Sequence, residues 1–353
     1  MTSRVGPSFF TCLDVPAEAA TKDRFTMSGA FPMNRIPHEP GITTHESRVT
    51  TLRSALRDAI AQLESEHIPS ASLAAELLLM HTAGRDRTWL YAHPEQELDA
   101  PTSERYFSLV ARRVSGVPTQ HLTGHQEFWG LDFEVTPDVL IPRPETEHVI
   151  EATLERLGTA VGGTASLRDA ELHIADVGTG SGCVAIALAH ELPNARFVAT
   201  DISAATLEVA RRNASRHGVA PRIDFVESNL LDVFLHESRA PNHESRLLDA
   251  IASNPPYIGR REASTLAREV REHEPESALF AGETGTEMYA PLIVQAALLL
   301  KPDGILVLEL GYNSGDHVLR LLDVPEWTDP SITNDLAGIK RVASARRSSI
   351  HSQ

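Results

Sequence analysis

The sequence predicts an α/β fold with a mostly parallel sheet, preceded by a small helical domain. Two observations support this prediction. From Glu147 onward, helical patterns alternate with short apolar strand patterns, an order that builds a parallel sheet with helices on both faces. Between about residue 47 and Gly116, apolar residues instead recur at helical spacing.

The composition is typical of a globular protein with more than one domain. The chain has 353 residues, of which 42% are hydrophobic. Its net charge of −16 argues against a broad nucleic-acid surface, because that affinity comes largely from lysine and arginine. The two cysteines, Cys12 and Cys183, suit a reducing cytoplasm. With neither a spanning apolar run nor a signal-peptide pattern, we expect a cytoplasmic protein without membrane contact.

The N-terminal part divides into a tail and a helical domain. Prolines without sustained periodicity predict a disordered tail or an over-long start over 1–45. The helical domain is predicted over 46–117, with a third helix at 102–115 that ends at Gly116. We expect Arg112 and Arg113 near the C-terminal end of that helix to favour its dipole. The predicted core positions are Leu52, Leu56, Ile60, Leu63, Leu73, Leu77, Leu78, Tyr106, Leu109 and Val110.

The remaining chain divides into a linker and a larger domain. Short β-like runs at 120–122 and 128–135, punctuated by glycines, predict a hairpin linker over 118–139. The larger domain is predicted over 140–346, with a polar surface insertion at 236–245 and a tail at 347–353. Its predicted helices are 146–157, 182–191, 205–217 and 287–300, and its predicted strands are 171–177, 196–200, 223–227, 248–253 and 304–310.

A glycine-rich turn follows the first predicted strand of this domain. Asp176-Val177 runs into Gly178-Thr179-Gly180-Ser181-Gly182 and then into an apolar helix. Glycines there permit a tight turn and the close approach of a ligand at the switch point of an open sheet. No Gly-Lys-Ser/Thr follows, which excludes the phosphate loop of ATPases. Taken alone, the pattern leaves open a dinucleotide site, an S-adenosylmethionine site and a structural turn.

The second predicted strand ends at an acidic residue, Asp201, which lies 23 residues after Gly178. A carboxylate there can accept hydrogen bonds from both ribose hydroxyls of an adenosine-bearing cofactor. The alternative is that Asp201 caps the next helix. Asn229 and Leu230 follow the third strand, where a polar side chain can reach the adenine edge and an apolar one can cover its face. The predicted cofactor-binding residues are Asp176, Gly178, Thr179, Gly180, Ser181, Gly182, Asp201, Ile202, Asn229, Leu230 and Asn254.

Asn254-Pro255-Pro256-Tyr257 follows the strand at 248–253 and lies on the cofactor side of the predicted sheet. The prolines fix the backbone and remove donors, so carbonyl groups of the loop are free to accept hydrogen bonds. The Asn254 oxygen, a carbonyl near Pro255 and the flat face of Tyr257 suit a planar NH2 group. We predict that these four residues are catalytic and bind the substrate by positioning and electrostatics, without a catalytic histidine. A rigid turn is the alternative.

Other titratable clusters are less informative. The histidines include no His-Glu-x-x-His pattern, so no metal site is expected. The glutamates at 145–151 fit the start and the solvated face of a helix, and the glutamates at 272–276 have the same interpretation.

Five ordered segments of the chain resemble the protein-(glutamine-N5) methyltransferases of peptide chain release factors, the PrmC or HemK family. The resemblance covers roughly residues 50–345. Its most specific parts are Leu140-Ile141-Pro142-Arg143-Pro144-Glu145-Thr146-Glu147, the glycine motif from Asp176 to Gly182, Asn254-Pro255-Pro256-Tyr257-Ile258, Glu274-Pro275 with Ala278-Leu279, and the segment 335–342.

The resemblance implies a seven-stranded Rossmann-like S-adenosylmethionine-dependent methyltransferase domain, a helical N-terminal domain that helps to hold the release factor, and a β-hairpin linker. The acceptor would be the glutamine of the Gly-Gly-Gln loop of class-1 release factors, so the reaction would tune translation termination. Gly178 to Gly182 and Asp201 would hold the donor, and Asn254 to Tyr257 the glutamine. By position, Phe128 and Arg143 would border the same pocket. We expect a monomer that does not bind nucleic acid directly.

Asn229 and Leu230 depart from the pattern of the family. Relatives often carry aspartate at the first position, and some carry an aromatic residue at the second. Two other functions stay open on the residues alone: an adenine-N6 or cytosine-N4 nucleic-acid methyltransferase, since Asn-Pro-Pro-Tyr can hold an exocyclic amine, and a silent binding module that merely keeps the fold.

Overall fold

The computed structural model describes residues 50–160, 162–237 and 247–349. The predicted tail at 1–45 lies outside these ranges. The predicted insertion at 236–245 lies almost wholly outside them, since helical structure is described only as far as residue 237.

A helical region opens the described chain. Thr51 begins its first helix with reciprocal hydrogen bonds, because its hydroxyl accepts from the Ser54 amide at 3.2 Å while the Ser54 hydroxyl accepts from the Thr51 amide at 2.9 Å. The buried residues Leu52, Ala55, Ala59 and Leu63 repeat at helical spacing along one face. The helices of this region are α1 (Leu52–Ser65), α2 (Ala71–Ala83), α3 (Arg87–Ala92), α4 (Ala100–Val114) and α5 (Thr119–Thr123).

Two expectations for this region are wrong. Leu73 is 46% exposed, because α2 buries Ala74, Ala75, Leu78 and Leu79 and so turns Leu73 away from the core. Residues 120–122, expected as a β-like run, belong to the short helix α5. Gly124 ends that helix in the left-handed conformation, at φ 78°.

The linker contains the expected hairpin, but its turn lies inside the run expected to be one strand. The strands are β1 (His125–Phe128) and β2 (Leu131–Glu134), with Phe128 paired to Leu131. Trp129 and Gly130 join them with φ values of 55° and 71°. Positive φ at both central residues is typical of the two-residue turns that match the twist of a hairpin. Phe128 and Phe133 from this hairpin pack in the core of the larger domain.

Within the described residues, seven strands form one sheet. The strands are β3 (His173–Val177), β4 (Arg196–Asp201), β5 (Ile223–Glu227), β6 (Leu248–Ser253), β9 (Leu300–Glu309), β10 (Trp327–Asn334) and β11 (Lys340–Arg347). Their order in the sheet is β10-β11-β9-β6-β3-β4-β5. Strands β5, β4, β3, β6 and β9 are parallel to one another, and β11 and β10 are antiparallel at one edge. The mostly parallel sheet and its seven strands are therefore confirmed.

Helices cover both faces of the sheet. Ile174 and Ala250 face a core shared with the helices that follow β2 and β3, whereas Ala175 and Ile251 face a second core shared with the helices before and after β9. The helices are α6 (Glu147–Ala160), α7 (Thr164–Asp169), α8 (Cys183–Glu191), α9 (Ala204–Arg216), α10 (Asp232–Glu237), α11 (Arg268–His273), α12 (Glu276–Leu279), α13 (Tyr289–Leu299) and α14 (Gly315–Leu322). A separate parallel pair, β7 (Ile258–Gly259) and β8 (Phe280–Gly282), follows β6.

The antiparallel edge was not visible as a strand pattern in the sequence. Strand β10 contains Pro330, which lies at a register shift between Thr328 and Ser331, where an edge strand tolerates proline. Strand β11 is polar at both ends and buried only over Val342–Ala345. It extends to Arg347, one residue beyond the predicted domain boundary.

Candidate active site

The carboxyl ends of β3 and β6 meet where the strand order of the sheet reverses. Their last residues, Val177 and Ser253, are paired, and the Ser253 hydroxyl donates to the Val177 carbonyl at 2.6 Å. The glycine loop and the Asn-Pro-Pro-Tyr loop therefore leave the sheet side by side. A Cβ atom at Gly178 would lie 3.9 Å from the backbone oxygen of Asn254. Ligands of open α/β sheets bind at such switch points.

A cavity of about 310 Å³ opens at this position and brings together most of the residues predicted for the site. Five predicted residues, Asp176, Gly182, Pro255, Tyr257 and Phe128, are not among those that line the cavity. The predicted residues in its walls are Arg143, Gly178, Thr179, Gly180, Ser181, Asp201, Ile202, Asn229, Leu230, Asn254 and Pro256.

The glycine loop has the positive φ angles that favour glycine. They are 72° at Gly178, 57° at Gly180 and 85° at Gly182. A Cβ atom at Gly180 would meet nothing within 4 Å, so the backbone there is open to a ligand. At Gly182 it would lie 2.9 Å from Ile186 Cδ1 and 3.2 Å from Ala210 Cβ. Gly182 therefore allows close packing of α8 against α9, whereas Gly180 faces the cavity.

Asp176 is not among the residues that line the cavity, so its place among the cofactor-binding residues stays a prediction. Its side chain is buried, and Oδ2 accepts from the Thr179 hydroxyl at 2.7 Å and from the Ala185 amide at 3.0 Å. Burial raises the pKa of this carboxyl to about 6, and the two hydrogen bonds oppose that rise. Asp176 shapes the loop by holding Thr179 against the first turn of α8.

Asp201 ends β4 and lines the cavity. Oδ2 accepts from the Gly180 amide at 3.1 Å, and Oδ1 accepts from the Ser203 amide at 3.0 Å. Each carboxylate oxygen can accept more than one hydrogen bond, so capacity remains for a ligand hydroxyl at both. Burial raises the pKa of Asp201, against the backbone hydrogen bonds that lower it. Additional donors from a ligand would therefore stabilise the carboxylate.

The predicted adenine-facing residues also line the cavity. Asn229 is exposed, and its side-chain nitrogen donates to Asp232 at 3.3 Å. Leu230, in the turn after β5, has a positive φ of 51°, and its buried apolar side chain forms part of the cavity wall. Ile202, the residue after Asp201, also lines the cavity, and its side chain is 60% exposed. A polar edge and apolar faces are what an adenine ring requires.

Asn254 is held by Thr146, a residue to which the sequence interpretation gave no role. Its side-chain nitrogen donates to the Thr146 hydroxyl at 2.9 Å, which leaves the amide oxygen as the remaining acceptor. Pro255 is buried, and Tyr257 is partly buried with its hydroxyl donating to Glu309 Oε1 at 3.1 Å. A Cβ atom at Gly311 would lie 3.2 Å from Tyr257, so the tyrosine packs against backbone.

Arg143 and Phe128, which were expected to border one pocket, lie in different places. Arg143 lines the cavity, and its Nη2 atom lies 2.5 Å from Glu274 Oε1. Phe128 is 2% exposed and packs edge-on against Phe133 in the core, so its placement at the pocket is corrected. Glu274 is buried, which corrects the expectation of a solvated face at 272–276.

Glu309 is a second residue that the sequence interpretation missed. It ends β9, it is 1% exposed, and burial raises the pKa of its carboxyl to about 7. The signal that could have found it is an acidic residue at the end of the apolar run Gly304-Ile305-Leu306-Val307-Leu308. A charged residue is seldom buried without a structural or functional reason.

Two other kinds of feature are absent from the described ranges. Among the residues that the structure describes, no group of three His, Cys, Asp or Glu side chains is arranged to hold a metal ion. No helix in those same ranges is long and apolar enough to span a bilayer.

Comparison with known proteins matches two family models to this chain. The PrmC N-terminal domain model matches residues 54–124, and the methyltransferase small domain model matches residues 164–276. Two curated relatives are each named release factor glutamine methyltransferase. The protein of Koribacter versatilis is 42% identical over 297 residues, which are 84% of this chain and 99% of the relative. The protein of Nitratidesulfovibrio vulgaris is 39% identical over 310 residues, 87% of this chain and 98% of the relative.

Proposed function

This chain belongs to the release factor glutamine methyltransferases, and from that premise we propose how its residues carry out the reaction. The chain is an enzyme that transfers a methyl group from S-adenosylmethionine to the side-chain amide nitrogen, N5, of a release factor glutamine. The acceptor is the glutamine in the Gly-Gly-Gln loop of class-1 release factors, so methylation tunes translation termination. The observation that carries the proposal is the cavity between the glycine loop and Asn254.

The cavity walls fit S-adenosylmethionine. Asp201 has acceptor capacity for both ribose hydroxyls, and the open backbone at Gly178 and Gly180 lets the ligand approach closely. Asn229 and Leu230 offer a polar edge and an apolar face for adenine. When bound, the donor supplies a methyl group on positively charged sulfur. Asp176 and Gly182 act indirectly in this proposal, by shaping the loop that carries the contacts.

The acceptor amide is held by the Asn-Pro-Pro-Tyr loop. The Asn254 side-chain oxygen and a backbone carbonyl near Pro255 accept one N–H each, and the Tyr257 ring packs against the flat amide. Pro256 keeps the loop rigid. The nitrogen of an amide is a poor nucleophile because its lone pair is delocalised into the carbonyl group. Holding both N–H bonds helps to localise that lone pair and aims it along the line of attack.

No strong base is required for this transfer. The amide nitrogen would gain the methyl group as the bond between that methyl group and the donor sulfur breaks, so the positive charge passes from sulfur to nitrogen and makes the N–H proton acidic. The two oxygens that accept from those N–H groups stabilise the developing charge. The proton then leaves to solvent, which restores a neutral, methylated amide.

We further infer a monomer that acts in the cytoplasm, the compartment of translation, without direct contact to nucleic acid or membrane. The net charge of −16 supports the first of these absences, since phosphate binding requires clustered lysine and arginine. Arg143, the predicted basic residue in the cavity wall, is already paired with Glu274.

The decisive experiment is mass spectrometry of a recombinant release factor after incubation with this enzyme and S-adenosylmethionine. We expect one added methyl group, mapped to the glutamine of the Gly-Gly-Gln loop. A release factor in which that glutamine is replaced by glutamate is the matched control and should gain no methyl. Label transferred to DNA or RNA, with none on the release factor, would instead support the nucleic-acid alternative.

A further inference from the structure

Glu309 lies beside the acceptor loop because of the register of the sheet. Strands β6 and β9 are parallel, and Ser253 pairs with Leu308. The next residue of each strand, Asn254 and Glu309, therefore emerges at the same edge. Glu309 is 1% exposed, so its carboxyl group is removed from water.

This carboxyl group is connected to the acceptor loop by one direct hydrogen bond and by a neighbouring hydroxyl group. The Tyr257 hydroxyl donates directly to Oε1 at 3.1 Å. The Thr146 hydroxyl accepts from Asn254 Nδ2 at 2.9 Å, and it lies close enough to Glu309 to lower the pKa of that carboxyl group. The second carboxyl oxygen, Oε2, is buried and has no hydrogen-bond partner among the described residues. Because a buried acceptor without a partner costs free energy, a neighbouring hydroxyl that turns to donate to it is stabilising.

The direction of these hydrogen bonds determines which end of the Asn254 amide faces the cavity. A carboxylate only accepts, so Thr146 must give it the hydroxyl proton. The Thr146 oxygen is then left as an acceptor and takes the Asn254 NH2 group, which leaves Oδ1 for the substrate. A protonated carboxyl group could donate to Thr146 instead. The hydroxyl could then donate to Asn254, and the amide could turn its NH2 group toward the cavity.

We propose that Glu309 is a positioning residue that acts through Thr146 to present the Asn254 oxygen to the glutamine NH2 group. The proposal rests on the proposed function, since it deepens the role of Asn254 in that reaction. An NH2 group turned into the cavity would face the substrate N–H bond that the Asn254 oxygen otherwise accepts, and it would repel that bond. The orientation of one amide therefore decides whether the acceptor can bind productively.

The ionisation of Glu309 makes this orientation depend on pH. Burial raises the pKa of Glu309 to about 7, and the charge of Glu145 adds to the rise, while Arg341 and the hydrogen bonds from Thr146 and Tyr257 oppose it. Cys183 and Tyr289 are also close enough to feel the charge of Glu309. The carboxylate form orients Asn254, so turnover is highest above pH 7 and falls as the pH drops through that value.

The test is the pH profile of methyl transfer to the release factor glutamine by the full chain and its Glu309→Gln variant. We expect kcat to fall about 10- to 100-fold, the size of effect that is typical when a residue that orients a substrate-binding side chain is replaced. KM for S-adenosylmethionine should change less than about twofold, since Asp201 is untouched. The acid limb near pH 7 should disappear, because glutamine does not titrate in this range.

A second pair of variants tests the route through Thr146. Thr146→Val removes the hydroxyl and should lower kcat as much as Glu309→Gln. The double variant should be no slower than either single variant, because both changes break one chain of contacts. Thr146→Ser keeps the hydroxyl and should recover most of the turnover. Asp249→Asn is the matched control, since Asp249 is a partly buried acid near the amino end of β6 that is paired with Lys301; its profile should match the wild type.

The outcomes separate this inference from the proposed function. If the wild-type chain adds no methyl to the glutamine, the proposed function fails. If the wild type does methylate, but Glu309→Gln keeps both kcat and the acid limb, the positioning role of Glu309 fails alone. Additive losses in the double variant, or a Thr146→Ser variant as slow as Thr146→Val, would equally overturn the route through Thr146.

Discussion

Two aspartates near the cofactor loop show how surroundings divide the roles of identical side chains. Asp176 and Asp201 lie toward the carboxyl ends of neighbouring strands, and burial raises the pKa of both. Asp176 points at Thr179 and at the start of α8, whereas Asp201 lines the cavity. One aspartate therefore shapes the protein, and the other is available to a ligand.

At the acceptor loop, Asn254→Ala should lower turnover about 10²–10³-fold, since it removes an acceptor that strengthens as charge develops on the substrate nitrogen. Affinity for S-adenosylmethionine should change little, because Asp201 and the glycine loop remain. Single-turnover kinetics and calorimetry measure the two quantities separately. Turnover near that of the wild type would contradict the positioning mechanism.

At the donor site, Asp201→Ala should mainly weaken the binding of S-adenosylmethionine. Hydrogen bonds to a charged group contribute about 1.5–3 kcal/mol, or roughly 10- to 150-fold in Kd. Asp224→Ala is the matched control, because Asp224 is an exposed acid on the neighbouring strand β5 and does not line the cavity. Isothermal titration should show the loss for Asp201→Ala alone. Equal affinity of the two variants would mean that other groups hold the ribose.

Among the elements, the loop between β3 and α8 combines two demands on glycine. Gly180 leaves space on the ligand side, and Gly182 removes a Cβ atom where α8 and α9 approach each other. Both adopt positive φ, at 57° and 85°. The first glycine serves the site and the second serves the packing that holds the site in place.

Gly182→Ala should therefore destabilise the protein more than an alanine at an equally left-handed but open position. Gly218 is the matched control, with φ 71° and nothing within 4 Å of the methyl group that alanine would add. Each alanine costs about 1–2 kcal/mol for the left-handed conformation. Overpacking against Ile186 and Ala210 should add about 1–3 kcal/mol at Gly182 only. Urea unfolding curves measure the difference, and equal midpoint shifts would contradict the packing role.

At the scale of the whole molecule, the helical region is joined to the larger domain by a buried charge. Arg113 of α4 pairs with Glu269 of α11 at 2.5 Å, and its Nη1 atom donates to the Val117 carbonyl at 3.2 Å. Arg113 lies in the last turn of α4, as expected, and its side chain is buried. It links α4 of the helical region to α11 of the larger domain.

Arg113→Met should lower the free energy of unfolding by about 1–3 kcal/mol. It leaves Glu269 without its partner, although Glu269 is partly exposed and keeps some hydration. Arg112→Met is the matched control, because Arg112 is the exposed neighbour on the same helix, and it should shift stability by no more than about 0.5 kcal/mol. Thermal unfolding compares the two, and equal shifts would contradict the proposed link.

The buried Glu309 also gives the whole molecule a pH-dependent stability. Its folded-state pKa is raised to about 7 from the ordinary value of 4.5, so the folded chain binds more protons than the unfolded chain between those values. Its contribution to stability is therefore greatest at low pH and is lost as the pH rises through 7. Relative to Glu309→Gln, the wild type should lose on the order of 3 kcal/mol between pH 4.5 and 8. Parallel stability curves would contradict the raised pKa.

The sequence by itself determined the fold class, several of the longer helices, the five parallel strands in their chain order, and the two loops that face each other. Strong helical periodicity and short apolar strands are local signals, and the carboxyl ends of parallel strands necessarily share one edge of a sheet. This is why Gly178 and Asn254 could be expected to meet on the strength of the sequence alone.

Only the tertiary structure decided the contacts between distant parts of the chain. It brought Thr146 and Glu309 to Asn254, turned Asp176 toward α8, buried Phe128 in the core and paired Arg113 with Glu269. It also formed the antiparallel edge from two polar strands that stabilise each other by pairing. These features depend on register, side-chain direction and partners far away in the chain, and local sequence patterns carry none of that information.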